Sequence, residues 1–365
     1  MSSDTFTPRW ASAPGSTIRD VLVARDISLA EFAASVGVPT PTAESLLAGH
    51  QPITVGLARR LESSIGGSVA FWLSRDGQYR DDLAVVATDR WASGLPIEDM
   101  AGFGWIDRPR TWQERSRTGL GFFDVADIQQ WRQVYEVLVE GARFRLSAAG
   151  RTEPLAVAAW LRRAEIQGSG AETANWNPDH FRLALQQVRT LTTARDPREF
   201  VPLMQDACAQ AGVALLVVRA PHGCPVSGAA RFLDQTRPQI ILSGRYLSDD
   251  HFWFTFYHEA AHILLHGASA VFVDEFEEAV GERPTDDESE ADDFAGETLL
   301  PRGVRDGIPH GHLSPRDIVR ISRDAGVSPG IVVGQLQHLG LLGFGSRYNG
   351  FKRRYRWVGP SLGKA

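Results

Sequence analysis

The stretch His258-Glu259-Ala260-Ala261-His262 lies inside an apolar run that extends from Phe252 to Leu265. Residues four apart lie on one face of an α-helix, so both imidazoles can bind the same cation. The run is apolar around every turn, which predicts a helix buried in a core, with Asp249 and Asp250 as its N-cap candidates. Two imidazoles and a carboxylate are costly in such a core unless they bind a metal or are fully hydrogen-bonded.

Glu259 follows the first imidazole directly, where a carboxylate can act as general base for a water polarised by the metal. Two histidines, one further ligand and a water are typical of a catalytic zinc site, because the fourth position stays open. We therefore expect one Zn²⁺ per chain, held by His258, His262 and a third side chain. The alternative is a buried helix whose polar residues find structural hydrogen-bond partners.

A second helix is predicted about thirty residues further on, over residues 288–300, and Pro301 ends it. Its inward positions recur at helical spacing: Ala291, Phe294, Ala295 and Thr298. Glu290 precedes Phe294 by one turn, so it can lie at the edge of this face and serve as the third ligand. Its rivals are Asp293 on a neighbouring face and Glu288 in the acidic segment that leads into the helix.

His266 continues the line of the two histidines and is a further candidate. At 1.5 Å rise per residue it stands about 12 Å from His258 along the axis. Zinc binds imidazole nitrogen at roughly 2.1 Å, so both rings cannot reach one ion. We expect His266 to interact with the helix C-terminus beside Gly267 instead.

The combined pattern resembles the ImmA/IrrE family of bacterial metallopeptidases. The resemblance rests on the histidine motif, on Glu290-Ala291-Asp292 and Leu299-Leu300-Pro301, on Val226-Ser227-Gly228-Ala229, and on residues 326–338. It implies a zinc endopeptidase that cleaves a protein substrate, in particular a repressor, in a stress-response, mobile-element or toxin–antitoxin context.

Short strands over residues 213–218, 229–233 and 239–243 precede the motif and predict an α+β, zincin-like domain. Pro238 would suit an edge strand, which beside a zinc cleft can hold an extended substrate peptide. Three side chains near these strands are candidates by position for stabilising an oxyanion: Arg231, Arg245 and Tyr246.

The first 86 residues predict short helices separated by turns, with Ser28 capping one helix and Gly37-Val38 leading to the next. This all-α layout resembles the Xre/Cro-type helix-turn-helix domain, particularly its HigA-type antitoxin branch. The resemblance implies double-stranded DNA as a partner. The DNA-binding candidates are three polar residues of the presumed recognition helix and two arginines beyond it: Thr40, Thr42, Ser45, Arg59 and Arg60.

The charges of this segment depart from that family. Residues 28–50 contain no Lys or Arg, and residues 17–86 hold six Arg against eight Asp plus Glu. The electrostatic attraction that supplies most non-specific DNA affinity is therefore weak. The alternative is a domain used for dimerisation, giving a homodimer, or for docking a partner protein.

Composition predicts a multi-domain cytoplasmic protein. The 365 residues are 43% hydrophobic, with a net charge of −6, no 18-residue apolar run and no signal-peptide pattern. Cys208 and Cys224 are too few for a disulfide framework. We expect no membrane contact.

Four segments follow: a helix-turn-helix domain (1–86), a mainly helical connecting module (87–198), the metallopeptidase domain (199–345) and a basic C-terminal tail (346–365). The tail holds six Lys or Arg and no acid, so it either meets phosphates or packs on its domain. The alternative function for the whole chain is a DNA-binding transcriptional regulator or antitoxin in which the metal site is not proteolytic.

Overall fold

The computed structural model describes residues 9–136, 153–267, 272–274, 285–309 and 311–365. The chain divides into two compact units. The first comprises residues 1–94, 109–120 and 125–128, and the second comprises residues 95–108, 121–124 and 129–365. The boundaries expected at residues 86, 198 and 345 stay predictions, and residues 137–152 of the expected connecting module lie outside the described residues.

The first unit is helical. Five helices lie between residues 14 and 93: α1 Pro14–Ala24, α2 Leu29–Ser35, α3 Thr40–Leu47, α4 Val55–Ile65 and α5 Val69–Ser93. Ser28 and Glu31 form a reciprocal capping box that fixes the start of α2. Phe32, Leu61 and Trp72 are buried at the centre of the unit's core. The prediction that this segment is a helix-turn-helix DNA-binding domain stays a prediction.

Further helices follow along the chain: α6 Ile97–Gly102, α7 Trp112–Phe123, α8 Ile128–Trp131, α9 Pro154–Ser169, α10 Pro178–Thr190 and α11 Pro197–Gln210. The remaining elements are β1 Ala214–Val217, β2 Gly228–Phe232, β3 Pro238–Leu242, α12 Asp249–Ala261, β4 Phe272–Asp274, α13 Asp286–Leu299, α14 Arg302–Arg305, α15 Pro315–Ala325, α16 Pro329–His338, β5 Tyr355–Val358 and β6 Ser361–Lys364. No helix in the described part of the chain is long and apolar enough to cross a membrane. The architecture is thus a helical region followed by an α+β region.

A four-stranded sheet with the order β1-β3-β2-β4 lies at the centre of the second unit. Strand β3 runs parallel to β1 and antiparallel to β2. Its side chains alternate between two cores, as the pleat requires. Ile240 and Leu242 pack in the larger core with α12, whereas Ile241 packs with α9 on the opposite face. The sheet is therefore covered by helices on both faces.

The prediction that Pro238 marks an edge strand is wrong. Strand β3 has neighbours on both sides, and Pro238 is its first residue, opposite Phe232 of β2. A proline that opens a strand removes no hydrogen bond from the strand interior, which is why the sheet tolerates it there. Among the described strands, β1 and β4 lie at the edges.

The C-terminal residues belong to the fold of the second unit. Strands β5 and β6 form an antiparallel hairpin whose Tyr355 and Leu362 are buried in the larger core. The Tyr355 amide donates to the carbonyl of Leu247, just before α12 begins. The sequence left two alternatives for residues 346–365, binding to phosphates or packing on the domain, and these contacts agree with packing on the domain.

Candidate metal centre

The histidine motif ends helix α12, which is buried along nearly its whole length. Ser248 occupies the N-cap position without a side-chain cap, and Asp249 and Asp250 lie in the first turn, so neither is the predicted N-cap. Carboxylates are nevertheless favourable there, because the helix N-terminus carries partial positive charge. At His262 the hydrogen bonding changes to a π-helical turn that runs to His266. Such π-turns occur frequently at functional sites.

A buried polar network holds the start of α12 in place. Asp249 accepts hydrogen bonds from the Ser328 hydroxyl at 2.6 Å and from the Arg353 amide at 2.9 Å. Asp250 forms an ion pair with Lys352 at 2.6 Å. Burial raises the pKa of Asp249 to about 6, even though the hydrogen bond from Ser328 opposes the shift.

Helix α16 packs against the same turn of α12 at glycines. A β-carbon at Gly330 would overlap the carboxylate of Asp249, and one at Gly334 would lie 2.6 Å from the β-carbon of Asp250. The backbone of α16 therefore lies directly against the side chains of this turn. Because the charged network and this close packing act on the same turn, they fix the position of the motif helix.

Three donor atoms converge at the far end of α12. The Nε2 atoms of His258 and His262 lie 3.0 Å apart, and the Glu288 Oε2 atom lies 3.2 Å from the first and 3.4 Å from the second. Donors about 2.0–2.1 Å from a tetrahedral zinc lie about 3.3 Å from one another. The triangle of two imidazoles and one carboxylate therefore fits Zn²⁺ in size and in donor chemistry.

The third member of this group is Glu288, where the sequence pointed to Glu290. Thr285 caps α13 by accepting from the Glu288 amide, so the helix starts at Asp286 and includes Glu288 in its first turn. The buried face of α13 runs through Ala291, Ala295 and Leu299, and Glu288 continues this face toward the N-terminus. The Glu288 side chain is 23% exposed, whereas that of Glu290 is 64% exposed.

The charge state of Glu288 suits a cation ligand. Burial by itself would raise the pKa of this carboxyl, but the hydrogen bonds from His258 and His262 outweigh it and hold the pKa far below its usual range. The carboxylate is therefore ionised at neutral pH, as metal ligation requires.

The outer ring nitrogens of both histidines also have partners. His258 Nδ1 lies 2.9 Å from Asp292 Oδ1. His262 Nδ1 lies 3.0 Å from His266 Nδ1, and His266 Nε2 lies 3.2 Å from Glu290 Oε2. Both motif histidines thus present Nε2 to the triangle and Nδ1 to a second group. This arrangement is usual for metal-binding histidines.

Glu259 is fully buried on the side of α12 that faces strand β2. Its carboxylate lies against Gly228, where a β-carbon would overlap Oε1. Only glycine leaves the space that this carboxylate occupies. The space at Gly228 therefore fixes the carboxylate of Glu259, the residue that directly follows His258.

The oxyanion candidates lie in two different places. Arg231 is three residues after Gly228 on β2, so the pleat turns it to the opposite face of the sheet, where it donates to Gln239 at 2.8 Å. The structure does not bring Arg231 to the metal centre. Arg245 and Tyr246 instead line a cleft that also includes Ser227 and Thr255.

This cleft adjoins Glu259, because Thr255 is one turn before it on α12 and Ser227 precedes Gly228. Tyr246 stacks on His251 with ring centroids 4.2 Å apart, and Arg245 lies over Tyr246. The Ser227 hydroxyl is buried and has no hydrogen-bond partner within the described residues. Arg245 and Tyr246 remain candidates on these grounds.

The DNA-binding candidates lie on helices of the first unit. Thr40 is exposed at the start of α3, and Thr42 and Ser45 are half-buried further along it. Arg59 and Arg60 are exposed on α4, and the Arg60 side chain lies beside Gly37 in the turn between α2 and α3. Glu44, an acid, is also exposed on α3, which is unfavourable beside phosphates.

A buried HExxH helix, a carboxylate from a following helix and a mixed sheet together define a zinc metallopeptidase-like region. Residues 215–336, about a third of the chain, match the family described as the IrrE N-terminal-like domain (Peptidase_M78). The matched segment runs from β1 to α16 and contains all three donors of the triangle. Comparison with curated proteins and with solved structures gave no match. The match supports a zinc-dependent peptidase domain in this part of the chain.

From the sequence, Asp292 was not recognised as a partner of His258, and Glu288 was named only as a rival to Glu290 for the third ligand. A signal for both was present. Glu288 and Asp292 are four residues apart and precede the inward positions Ala295 and Leu299 by seven residues each. Seven residues are nearly two helical turns, so both acids share the inward side.

Proposed function

We propose that this protein is a zinc-dependent endopeptidase whose catalytic centre lies in the second unit. The observation that supports this proposal is the donor triangle of His258, His262 and Glu288, together with the buried carboxylate of Glu259, the residue after His258, against Gly228. Three protein ligands leave one zinc position for a water or substrate, which is the composition of catalytic zinc sites. A structural zinc site would have a fourth protein ligand.

Zinc bound at the triangle would act as a Lewis acid, polarising the peptide carbonyl and lowering the pKa of the attacking water. Glu259 would take a proton from this water as it attacks and pass the proton to the leaving amine. The cradle at Gly228 holds the Glu259 carboxylate in one place, so little reorganisation is needed in either step. Tyr246 and Arg245 are the candidates for donating to the oxyanion that develops on the carbonyl.

The proposal is tested with Glu259→Gln, which keeps the size of the side chain and removes its basicity. The wild type should hold about one zinc per chain by elemental analysis, and it should generate new termini in a proteome-derived peptide mixture analysed by mass spectrometry. Glu259→Gln should bind zinc equally well and cleave about 10²–10⁴-fold more slowly. Asp293→Asn, an exposed change on α13, is the matched control and should cleave normally.

Two results would contradict the proposal. Zinc-loaded Glu259→Gln that cleaves at the wild-type rate would remove the general-base assignment. A well-folded wild type that takes up no zinc after reconstitution would remove the metal centre altogether.

We further propose that the substrate is a repressor or another regulatory protein and that the first unit delivers the peptidase to it. The supporting observation is the pair α2 and α3, joined by a turn at Gly37 with Arg60 beside it. Delivery would proceed through double-stranded DNA or through direct docking, including dimerisation of the chain. Salt-dependent binding of a DNA fragment from the protein's own promoter, lost in Arg59→Ala/Arg60→Ala, would favour DNA.

The same helix pair supports a second candidate, a transcriptional regulator or antitoxin of the Xre/HigA type. In that case the metal would serve the fold and no peptide would be cut. The two functions differ in their response to Glu259→Gln. Repression of a reporter gene should be unchanged by this variant if the protein only binds DNA, and altered if cleavage of a regulator is its role.

A further inference from the structure

His266 and Glu290 form a chain of contacts behind the metal centre that neither the donor triangle nor the general base uses. From the triangle outward, the chain runs from His262 Nδ1 to His266 Nδ1 over 3.0 Å and from His266 Nε2 to Glu290 Oε2 over 3.2 Å. The His266 side chain is only 8% exposed, and Asp287 Oδ1 lies 3.7 Å from its Nε2 atom. A buried ring thus links the ligand His262 to a solvent-facing carboxylate.

The protons in this chain have one arrangement that satisfies every contact when His262 binds metal. Its Nε2 lone pair then faces the metal, so the neutral ring carries its proton on Nδ1 and donates to His266 Nδ1. His266 must accept through Nδ1, which places its own proton on Nε2. That N–H donates to Glu290, which as a carboxylate only accepts. Glu290 therefore fixes the tautomer of His266, and His266 fixes the tautomer of His262.

We propose that His266 and Glu290 are positioning residues that hold His262 in the Nδ1–H tautomer and in the ring orientation that metal binding requires. The proposal rests on the metal centre put forward above, but not on peptide cleavage. Asp292 would hold His258 in the same tautomer directly, because its Oδ1 atom lies 2.9 Å from His258 Nδ1. Helix α13 would then contact the centre three times, directly through Glu288 and indirectly through Asp292 and Glu290.

The first experiment compares zinc affinity of the wild type, His266→Leu and His266→Asn by competition with a chromophoric chelator. Leucine removes the acceptor for His262, so affinity should fall about 10–100-fold, the usual effect of losing an outer partner of a metal ligand. The Asn side-chain oxygen occupies nearly the position of the lost Nδ1 atom and still accepts from His262. His266→Asn should therefore bind zinc within a few-fold of the wild type, a rescue that a general packing role does not predict.

The second experiment separates positioning from simple charge and from direct ligation. Glu290→Ala and Asp293→Ala remove the same charge from the same helix, but only Glu290 contacts His266, so only Glu290→Ala should weaken zinc binding. In the His266→Leu background, Glu290→Ala should cause no further loss, because its route to the metal is already broken. If Glu290 bound the metal directly, Glu290→Ala would instead lower zinc affinity in the His266→Leu background by as much as it does in the wild type.

Long-range ¹H–¹⁵N NMR of the zinc-loaded wild type reports the tautomers themselves. His262 should carry its proton on Nδ1 and His266 on Nε2, and in Glu290→Ala the His266 tautomer should become mixed. Zinc affinity of His266→Leu within twofold of the wild type would overturn the proposal, as would an Nδ1–H tautomer of His266. A protein that shows the expected affinities but cleaves no peptide would leave the positioning intact and contradict the endopeptidase.

Discussion

Gly228 is the residue on which the placement of Glu259 depends. Its missing side chain leaves the space taken by the carboxylate and by the Thr255 methyl group. Through this contact, strand β2 packs against helix α12 at Thr255 and Glu259. A change at this position is therefore expected to act on Glu259, the proposed general base, before it acts on the proposed metal ligands.

Gly228→Ala should lower peptide cleavage at least tenfold, because the new methyl group displaces the Glu259 carboxylate. Overpacking of this kind also costs about 1–3 kcal/mol of stability. Zinc content should remain near that of the wild type. Gly303→Ala is the control, since a β-carbon there has nothing within 4 Å. Normal cleavage by Gly228→Ala would show that the Glu259 carboxylate can act from a position other than the one beside Gly228.

Asp249 makes the stability of the second unit depend on pH. Burial raises its folded pKa to about 6, whereas an unfolded aspartate titrates near about 3.9. Between these values the folded chain holds one more proton than the unfolded chain, so this group's contribution to stability falls as pH rises from about 4 to 6. The Ser328 hydroxyl, the Asp250 carboxylate, and both the amide and the side chain of Arg353 also act on its pKa.

Asp249→Asn should remove this contribution, so the wild-type unfolding free energy minus that of the variant should decrease by about 2–3 kcal/mol between pH 4 and pH 7. Urea unfolding of both proteins at several pH values measures this difference in unfolding free energy. A difference that is constant over this range would mean that Asp249 titrates normally in the folded state.

At the scale of elements, the metal centre depends on where helix α13 begins. Thr285 accepts a hydrogen bond from the Glu288 amide and so brings Glu288 into the first helical turn. Removing the cap would fray that turn, and the carboxylate would lose its fixed position relative to the two histidines. We therefore expect zinc binding at the proposed centre to depend on Thr285.

Thr285→Ala should lower the unfolding free energy by about 0.5–2 kcal/mol, the usual cost of an N-cap. Zinc affinity should fall with it, and a chelator competition measures this. Thr285→Asp is the control, because aspartate caps helices well and should preserve both quantities. Equal zinc affinity in Thr285→Ala and the wild type would show that packing alone orders the first turn.

At the scale of the whole molecule, the last residues of the chain complete the core around the motif helix. Lys352 and Arg353 bind the first turn of α12, and the β5–β6 hairpin buries Leu362 in the core that contains this helix. The basic charge of this segment is thus partly neutralised inside the fold. Disturbing the hairpin core should therefore destabilise the second unit as a whole.

Leu362→Ala should destabilise the second unit by about 2–5 kcal/mol, as for other buried leucines. Val358, in the same hairpin, is 46% exposed, so Val358→Ala should cost much less. Denaturant unfolding followed by tryptophan fluorescence compares them. Equal stabilities of the two variants would show that the hairpin does not belong to the core.

Much of this protein follows from local sequence signals. Capping residues, turns and apolar periodicity predicted the short helices of the first 86 residues, the motif helix, the helix that follows it and three strands of the four-stranded sheet, because these signals act between neighbours in the chain. The edge position for Pro238 was wrong, since sheet order depends on which strands meet in space. The oxyanion candidate Arg231 was placed by its nearness in sequence, but strand alternation turns it away from the centre.

The sequence by itself determined the helix that carries the proposed histidine ligands, because the spacing of His258 and His262 and the adjacency of Glu259 are properties of one helix. Only the tertiary structure decided which carboxylate completes the triangle. Glu288 and Glu290 differ by two residues, and their roles depend on the start and rotation of α13 against α12. That rotation is set by the packing of Ala291, Ala295 and Leu299 in a shared core, to which distant parts of the chain contribute.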